Sequence, residues 1–157
     1  MKHRFFSLFI ATLLSISTVI SVGATQSFPN FEFQVKSYSV QPYASAYLSD
    51  YSISFGARDN CRMVITMDVN GVRTMDRIGC SVLVIEKKVN GTWLVDEIMV
   101  SADYPEFIVE NAATYFHSID YYGEADYQYR VTMTAYARKD GGYDTGEITS
   151  YVVTCRE

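Results

Sequence analysis

The stretch Asp126-Tyr-Gln-Tyr-Arg-Val-Thr-Met-Thr-Ala-Tyr-Ala-Arg138 decides the fold class of this chain. Apolar and aromatic side chains occupy every second position of the stretch, and mostly polar ones lie between them. Alternation with period two over a full strand length is typical of an antiparallel strand with one face on a core and the other in water. We therefore predict a strand over residues 126–138, with Tyr129, Val131 and Met133 on its buried side.

Six further runs of apolar, aromatic and β-branched residues have strand length and are separated by turn signals. The pair Asn90-Gly91, a strong hairpin signal because both positions accept positive φ, separates two of them. No segment shows a sustained helical period, although residues 105–113 have room for one turn of helix. The chain is predicted to be all-β, an antiparallel β-sandwich of about seven strands. The predicted strands are residues 46–55, 61–69, 78–88, 92–100, 114–120, 126–138 and 147–155.

The amino terminus is typical of a secretory signal. Lys2 and Arg4 precede an apolar run over residues 5–20, and small residues follow up to Ala24. The run is short for a membrane-spanning helix, so we expect cleavage after Ala24 rather than a retained anchor. The predicted segments are a signal peptide at residues 1–24, a linker or arm at residues 25–45 and a β-sandwich domain at residues 46–157.

The charge of the mature chain limits its partners. Removal of Lys2 and Arg4 with the signal leaves 11 basic residues against 18 acidic ones, a net charge of −7. An acidic surface argues against a nucleic-acid partner. No cysteine at the expected cleavage point accepts a lipid, so we expect no stable membrane anchor. The predicted product is a secreted monomer, extracellular or associated with the cell wall.

The start of the long strand resembles a known β-sandwich hairpin. Tyr127-Gln-Tyr-Arg-Val131, a Gly-rich loop after the strand and a last strand with Ser and Thr are similar to the F-to-G hairpin of fibronectin type III and immunoglobulin-like domains. The resemblance implies that the seven strands correspond, in order, to A, B, C, C′, E, F and G. It also implies that the hydroxyl of Tyr127 or Tyr129 hydrogen-bonds backbone near the preceding turn, as a corner tyrosine does. Unlike an antibody domain, the chain has its only Trp after the Asn-Gly turn and no cysteine in strand F.

A second resemblance, over residues 47–150, is to a family of small uncharacterised secreted proteins of Gram-positive gut bacteria. The shared motifs are structural: a strand start, a hairpin and a strand with its turn. They are Thr74-Met-Asp-Arg-Ile-Gly79, Glu86-Lys87 with Gly91-Thr-Trp93, and Tyr122-Gly123 with Tyr129-Arg-Val131. That family has no established activity, so the resemblance implies no functional residue.

Three cysteines allow at most one internal disulfide. In the strand order that the resemblance implies, the start of strand B and the end of strand G lie at the same pole, which favours a bridge between Cys61 and Cys155. Such a bridge would close a loop of about 95 residues and contribute roughly 4–5 kcal/mol in the chain-entropy model. The alternative is three unpaired, mostly buried thiols. Cys80 is interpreted as a small core residue.

Catalytic and metal-binding interpretations have little support in the sequence. A nucleophilic Cys80 would need a histidine, and only His117 remains after signal removal, in a strand where a half-exposed surface role is more common. Asp140, Asp144 and Glu147 carry oxygens that suit calcium, but they lack the alternating spacing of a calcium loop and fit a solvated hairpin loop. We therefore expect no enzymatic activity, no cofactor and no metal.

One pole of the predicted sandwich is a candidate recognition surface. The predicted strand order brings together the loops of residues 70–77 and 139–146. They carry Arg73, Arg77, Tyr143 and Asp144, which we predict to bind a ligand, since aromatic and charged side chains among Gly and Asn suit recognition loops. Ordinary solvated loops are the alternative interpretation.

The function predicted from these observations is that of a secreted non-catalytic β-sandwich protein, a protein- or glycan-binding module at or outside the cell envelope. A structural or self-associating envelope protein is the alternative, and an exposed edge strand that pairs between chains would support it. A hydrolase comes third, because it requires a cleft that gathers carboxylates such as Asp68, Asp120 or Glu124.

Overall fold

The computed structural model describes residues 36–40 and 45–156. Eight antiparallel strands and two 3₁₀ turns, Asp59–Cys61 and Pro105–Phe107, form the regular structure of this part of the chain. Among the same residues, no helix has the length and apolar character that crossing a bilayer requires. The strands are β1 (Lys36–Val40), β2 (Leu48–Ala57), β3 (Arg62–Val89), β4 (Thr92–Val100), β5 (Ile108–Tyr122), β6 (Gln128–Lys139), β7 (Gly142–Thr149) and β8 (Val153–Thr154).

β3 is the longest strand and the centre of the sheet. Its first half pairs with β2 and with the later part of β5, while its second half pairs with β4, with the start of β5 and with β6. A register shift between Asn70 and Met75 separates the two halves, and such irregularities bend and twist a strand. β1 pairs with β2, and both β7 and β8 pair with β6. The strands form one antiparallel sheet that curls around a hydrophobic core.

The core is built from alternate residues of β2, β3 and β6. Ile53 and Phe55 of β2 are fully buried, and so are Tyr129, Val131 and Met133 of β6. β2 contacts β6 and β7 without pairing with either, so these strands meet across the core through their side chains. The predicted all-β class and the predicted buried side of residues 126–138 are confirmed.

The strand count and several strand boundaries differ from the prediction of about seven strands, and β5 begins at Ile108 rather than at residue 114. The predicted runs 61–69 and 78–88 belong to one strand, because β3 continues through the bend instead of ending in a loop. Residues 142–146, predicted as loop, begin β7, because Asp140 and Gly141 have φ of 51° and 86° and form a two-residue turn. The segment expected to be a linker or arm contributes β1, while the predicted signal peptide lies outside the described residues.

Tyr129 ties the start of β6 to the turn before it. Its hydroxyl accepts a hydrogen bond from the backbone N–H of Glu124 at 2.8 Å. Gly123 lies against the ring, where an added Cβ would stand 2.8 Å from the ring Cζ, so the position requires glycine. The Gly123 N–H donates to the carbonyl of Cys61 at 3.0 Å. Of the two tyrosines predicted to hydrogen-bond backbone near the preceding turn, Tyr129 therefore makes such a bond, whereas Tyr127 is exposed.

The predicted disulfide between Cys61 and Cys155 is present. Their Cα atoms are 5.0 Å apart, inside the usual range of about 4.4–6.8 Å. Backbone hydrogen bonds surround the bridge, from the Cys61 N–H to the Arg156 carbonyl at 3.1 Å and from the Cys155 N–H to the Tyr127 carbonyl at 3.0 Å. The bridge thus joins the start of β3 to the segment that follows β8.

Replacement of Tyr129 by Phe should lower the free energy of unfolding by about 1–2 kcal/mol, because the Glu124 N–H loses its acceptor in a partly buried site. Tyr127→Phe is the matched control, and it should change the free energy by less than about 0.5 kcal/mol. Urea unfolding followed by tyrosine fluorescence measures both. Equal effects of the two substitutions would contradict a stabilising role for the Tyr129 hydroxyl.

The double substitution Cys61→Ala and Cys155→Ala should lower the free energy of unfolding by about 4 kcal/mol, since the unfolded chain regains the entropy of an open loop. Urea unfolding with and without dithiothreitol provides the measurement. The reductant should bring the wild-type protein close to the double variant and leave the variant unchanged. A double variant as stable as the oxidised wild-type protein would rule out a stabilising bridge.

Candidate functional site

The solvent side of β4, the second half of β3, β6 and β7 forms a continuous surface, which we call the outer face. Its β4 and β3 strands carry an aliphatic patch, made by side chains that the strand register places opposite one another. Val82 lies opposite Val100, and Val84 lies opposite Ile98. Val95 adjoins them on β4, and Val95 and Ile98 are 59% and 57% exposed. The aliphatic patch therefore consists of Val82, Val84, Val95, Ile98 and Val100.

A β-bulge in β4 creates this patch. Ile85 pairs with Glu97, and the next residue, Glu86, pairs with Val95, so Asp96 is an extra residue on β4. Because of that extra residue, Val95 and Ile98 lie on the same face although they are three positions apart. A strict period of two places them on opposite faces, which is why the sequence pattern did not identify the patch.

Trp93 and Arg130 lie at one end of the outer face. The Arg130 guanidinium stands 4.6 Å from the centroid of the Trp93 ring, and the Lys88 ammonium stands 5.5 Å from it. Arg130 also donates two hydrogen bonds to the Glu86 carboxylate, at 2.6 Å and 2.9 Å. The Glu86 carboxylate raises the pKa of Arg130 above its already high ordinary value. At this end of the outer face, the Arg130 guanidinium is therefore held between the Trp93 ring and the Glu86 carboxylate.

Tyrosine and arginine side chains lie at the other end. The rings of Tyr136 and Tyr143 stack with centroids 6.0 Å apart. In the strand register Arg77 is opposite Arg138, and Arg138 is opposite Tyr143, so these three residues form one row across β3, β6 and β7. Two of the four predicted ligand-binding residues, Arg77 and Tyr143, thus lie together on the outer face. Sequence reasoning did not single out their neighbours Tyr136 and Arg138.

Asp144, a third predicted residue, lies on the opposite side of β7 from Tyr143. Its carboxylate accepts hydrogen bonds from the hydroxyl of Ser45 and from the backbone N–H of Tyr47, the latter at 2.8 Å. These donors, led by the Ser45 hydroxyl, hold the pKa of Asp144 below its ordinary value. Asp144 therefore connects the segment before β2 to β7, and its carboxylate already accepts hydrogen bonds within the protein.

Arg73, the fourth predicted residue, lies in the bend of β3. Its guanidinium is 3.9 Å from the Asp140 carboxylate, and both side chains are well exposed. Asp76, which sequence reasoning did not single out, accepts from the Lys139 ammonium at 2.7 Å and from the Asp140 N–H at 2.9 Å. The predicted pole is therefore a turn held by ion pairs, and it borders the outer face.

Cys80 is fully buried, as its interpretation as a core residue predicted. Its thiol donates to the Val82 carbonyl at 3.2 Å, and burial raises its pKa to about 12. His117 packs its ring near Phe107 and Tyr115, at centroid distances of 6.1 Å and 6.2 Å. A thiol held in its neutral form is a poor nucleophile.

The carboxylates considered as candidates for a hydrolase site each interact with a different partner. Asp68 accepts from the Asn70 side-chain amide at 2.8 Å, and burial raises its pKa. Asp120 pairs with Arg62 at 2.7 Å, and Glu124 pairs with Lys87 at 2.6 Å. Each carboxylate thus has its own local partner.

Among the described residues, no group of three or more His, Cys, Asp and Glu is arranged to hold a metal ion. Asp144 and Glu147, two of the three acidic residues considered for calcium, point to opposite sides of β7 because they are three residues apart in a regular strand.

No protein family model matches this sequence, and no curated protein is significantly similar to it. The function is therefore inferred from the outer face itself.

Substitution of Asp144 by Asn should lower the free energy of unfolding by about 1 kcal/mol at neutral pH, because the charge-assisted hydrogen bonds to Ser45 and Tyr47 weaken. The pKa of Asp144 is depressed in the folded state. Its contribution is therefore complete above the ordinary carboxyl pKa of about 4 and is lost as the pH falls through the lower folded value. Urea unfolding between pH 7 and pH 2 measures the difference.

The control for this experiment is Asp140→Asn, which removes only an exposed ion pair with Arg73 and should change stability by less than about 0.5 kcal/mol. The two variants should converge on the wild-type stability at the acidic end. A stability difference for Asp144→Asn that does not depend on pH would contradict the assigned role.

Proposed function

We propose that this chain is a secreted, non-catalytic binding module that contacts a partner protein through the outer face. The aliphatic patch carries the proposal, because Val95 and Ile98 are more than half exposed on the β4 side of a four-strand surface. Trp93 with Arg130 and Tyr136 with Tyr143 flank the patch. An apolar patch bordered by aromatic and arginine side chains has the composition of protein interfaces.

The same features favour a protein over a glycan. Sugar rings bind on open aromatic faces, but the Trp93 ring has Arg130 and Lys88 near it, and the Tyr143 ring stacks with Tyr136. The central valine and isoleucine side chains offer no flat ring for stacking, while they bury well against another apolar surface.

The proposed architecture is an immunoglobulin-like or fibronectin type III-like sandwich. The pairing of β2, the first half of β3 and β5 matches the A-B-E order of such a domain. The pairing of β4, the second half of β3, β6 and β7 matches the order C′-C-F-G. The corner hydrogen bond of Tyr129 and the contact of β2 with β6 and β7 across the core support this assignment. The outer face is then the C′-C-F-G side of the sandwich.

The proposed location is outside the cell, free or associated with the cell wall. Lys2, Arg4 and the apolar run after them support export. The disulfide between Cys61 and Cys155 agrees with an oxidising compartment. Membership of the secreted family of Gram-positive gut bacteria is part of the same proposal.

Binding rather than catalysis is favoured by the state of the reactive groups. The Cys80 thiol has a pKa of about 12 and lies in the core. Asp120 and Glu124 are neutralised by Arg62 and Lys87. These groups serve packing and surface ion pairs, whereas the outer face has large exposed apolar side chains without such a structural use.

The proposal is tested with Ile98→Asp, which puts a charge into the aliphatic patch. The matched control is Ser54→Asp, the same charge change on the solvent side of β2. Both proteins and the wild type are immobilised and exposed to envelope and culture-medium proteins of the source organism and, separately, to a glycan array. We expect the wild type and the control to retain the same protein, and Ile98→Asp to bind it about tenfold or more weakly, since burial of an isoleucine contributes roughly 1.5–3 kcal/mol.

Circular dichroism and thermal unfolding of each variant separate loss of binding from loss of folding. Equal binding by Ile98→Asp and wild type would contradict the use of the aliphatic patch. Glycan binding that Ile98→Asp leaves intact, without any retained protein, would favour a glycan-binding module instead.

A further inference from the structure

Residues 114–122 of β5 form an open sheet edge. They pair with residues 62–70 of β3 in an unbroken antiparallel register, from Asn70 with Thr114 to Arg62 with Tyr122. In the part of the chain that the structure describes, no strand pairs with their other side. This edge is distinct from the outer face, since β3 residues 62–70 pair with β2 and β5 and not with β4 or β6.

The register defines which backbone groups point away from β3. The Gly123 N–H donates to the Cys61 carbonyl, so residue 123 belongs to the set that bonds β3. In an antiparallel strand the N–H and C=O of one residue point to the same neighbour, and those of the next residue point to the other. The odd-numbered residues of this segment therefore bond β3. Phe116, Ser118 and Asp120 direct their N–H and C=O groups to the open side.

Two of the other edge strands carry features that prevent pairing between chains. β4 has the consecutive acids Asp96 and Glu97, with the bulge at Asp96. β7 has Glu147 among its exposed residues. Charges, prolines and bulges are usual means by which proteins block edge pairing. The segment 114–122 has no Pro, Gly, Lys or bulge.

The single acid of the segment is already neutralised. The Asp120 carboxylate pairs with Arg62 of β3 at 2.7 Å, and this pair lowers the pKa of Asp120. The large hydrophobic residues with the highest exposure in the described part of the chain, Phe116 at 70% and Tyr122 at 67%, also belong to this segment. Both project from the solvent side of β5, as does Ser118 between them. This edge thus combines open backbone groups with uncovered aromatic rings.

We propose that this edge pairs with the same edge of a second copy of the chain, antiparallel and centred on Ser118. The sequence alone predicted a monomer, and the unprotected edge favours self-association instead. A symmetric pair that keeps the inner faces of both sheets on one side must be centred on a residue. Centring on Ser118 pairs all nine residues of 114–122 with their counterparts.

The side chains fit this register. Phe116 lies opposite Asp120 of the other copy and diagonal to its Tyr122, a separation within reach of aromatic rings. Ser118 faces its own counterpart, and no two like charges are opposed. The second copy places side chains beside both exposed rings and supplies partners for the open backbone groups. This fit identifies the same strand as the occupant of the edge.

The first experiment measures association of the purified protein by sedimentation velocity over a range of concentrations. We expect a concentration-dependent dimer. Ser118→Lys places a long charged side chain at the centre of the edge and should weaken dimerisation about tenfold or more. The matched control is Ser54→Lys, because Ser54, Thr66 and Ser118 lie in one row on the same side of the sheet and only Ser118 lies on the open edge. The control should dimerise like the wild type.

The second experiment tests the register through Ser118→Cys. Residues opposite each other in a hydrogen-bonded antiparallel pair have Cα atoms about 5.5 Å apart, a distance that a disulfide spans. Mild oxidation should link Ser118→Cys into a dimer, which mass spectrometry identifies as a bridge between two copies of residue 118, while Ser54→Cys stays monomeric on a non-reducing gel.

Three outcomes would overturn the proposal. They are a wild-type monomer at the highest soluble concentration, equal dimerisation of wild type and Ser118→Lys, and equal loss in the Ser54→Lys control. Thermal unfolding of each variant shows whether it is folded. None of these outcomes bears on the aliphatic patch, so failure of this proposal and failure of the proposed function are distinguishable.

Discussion

β3 must hydrogen-bond with four other strands, and it does so by bending between its two halves. One glycine lies in the bend and another follows it. An added Cβ at Gly71 would lie 2.8 Å from the Met75 side chain, and one at Gly79 would lie 2.0 Å from the Phe107 carbonyl. The close packing at both positions lets the strand pass from its pairing with β2 to its pairing with β6. Without that passage, the buried faces of β2 and β6 would not meet across one core.

The sequence predicted the elements whose cause is local. The alternation of β6, the Asn90-Gly91 turn and the buried side of Val131 follow from strand period and turn sterics, which a single segment contains. The sequence did not predict that β3 is continuous or that β7 begins at Gly142. Both depend on pairing with distant strands, which supplies hydrogen bonds to residues such as Gly142 that have low intrinsic strand preference.

The same distinction, between features with a local cause and features that depend on distant strands, applies to the candidate site. Arg77 and Tyr143 were predicted to be close because the predicted strand order places their loops at one pole, and they do share the outer face. Asp144 was grouped with them by sequence proximity, but the strand period turns it toward Ser45. The aliphatic patch escaped prediction because Val95 and Ile98 share a face only through the bulge at Asp96. A bulge of this kind is a property of the pair of strands and leaves no clear signal in either one.

The outer face and the β5 edge are compatible, because the two halves of β3 separate them. Pairing through residues 114–122 would extend the part of the sheet that contains β2 and leave both copies of the aliphatic patch uncovered. A dimer would then present two identical faces on one rigid sheet, so a partner attached to a surface would meet the second face at a high effective concentration. The net charge of −5 on each copy opposes this dimer. Salt should therefore strengthen the pairing, since the repulsion acts over distances that ions screen while the edge hydrogen bonds do not.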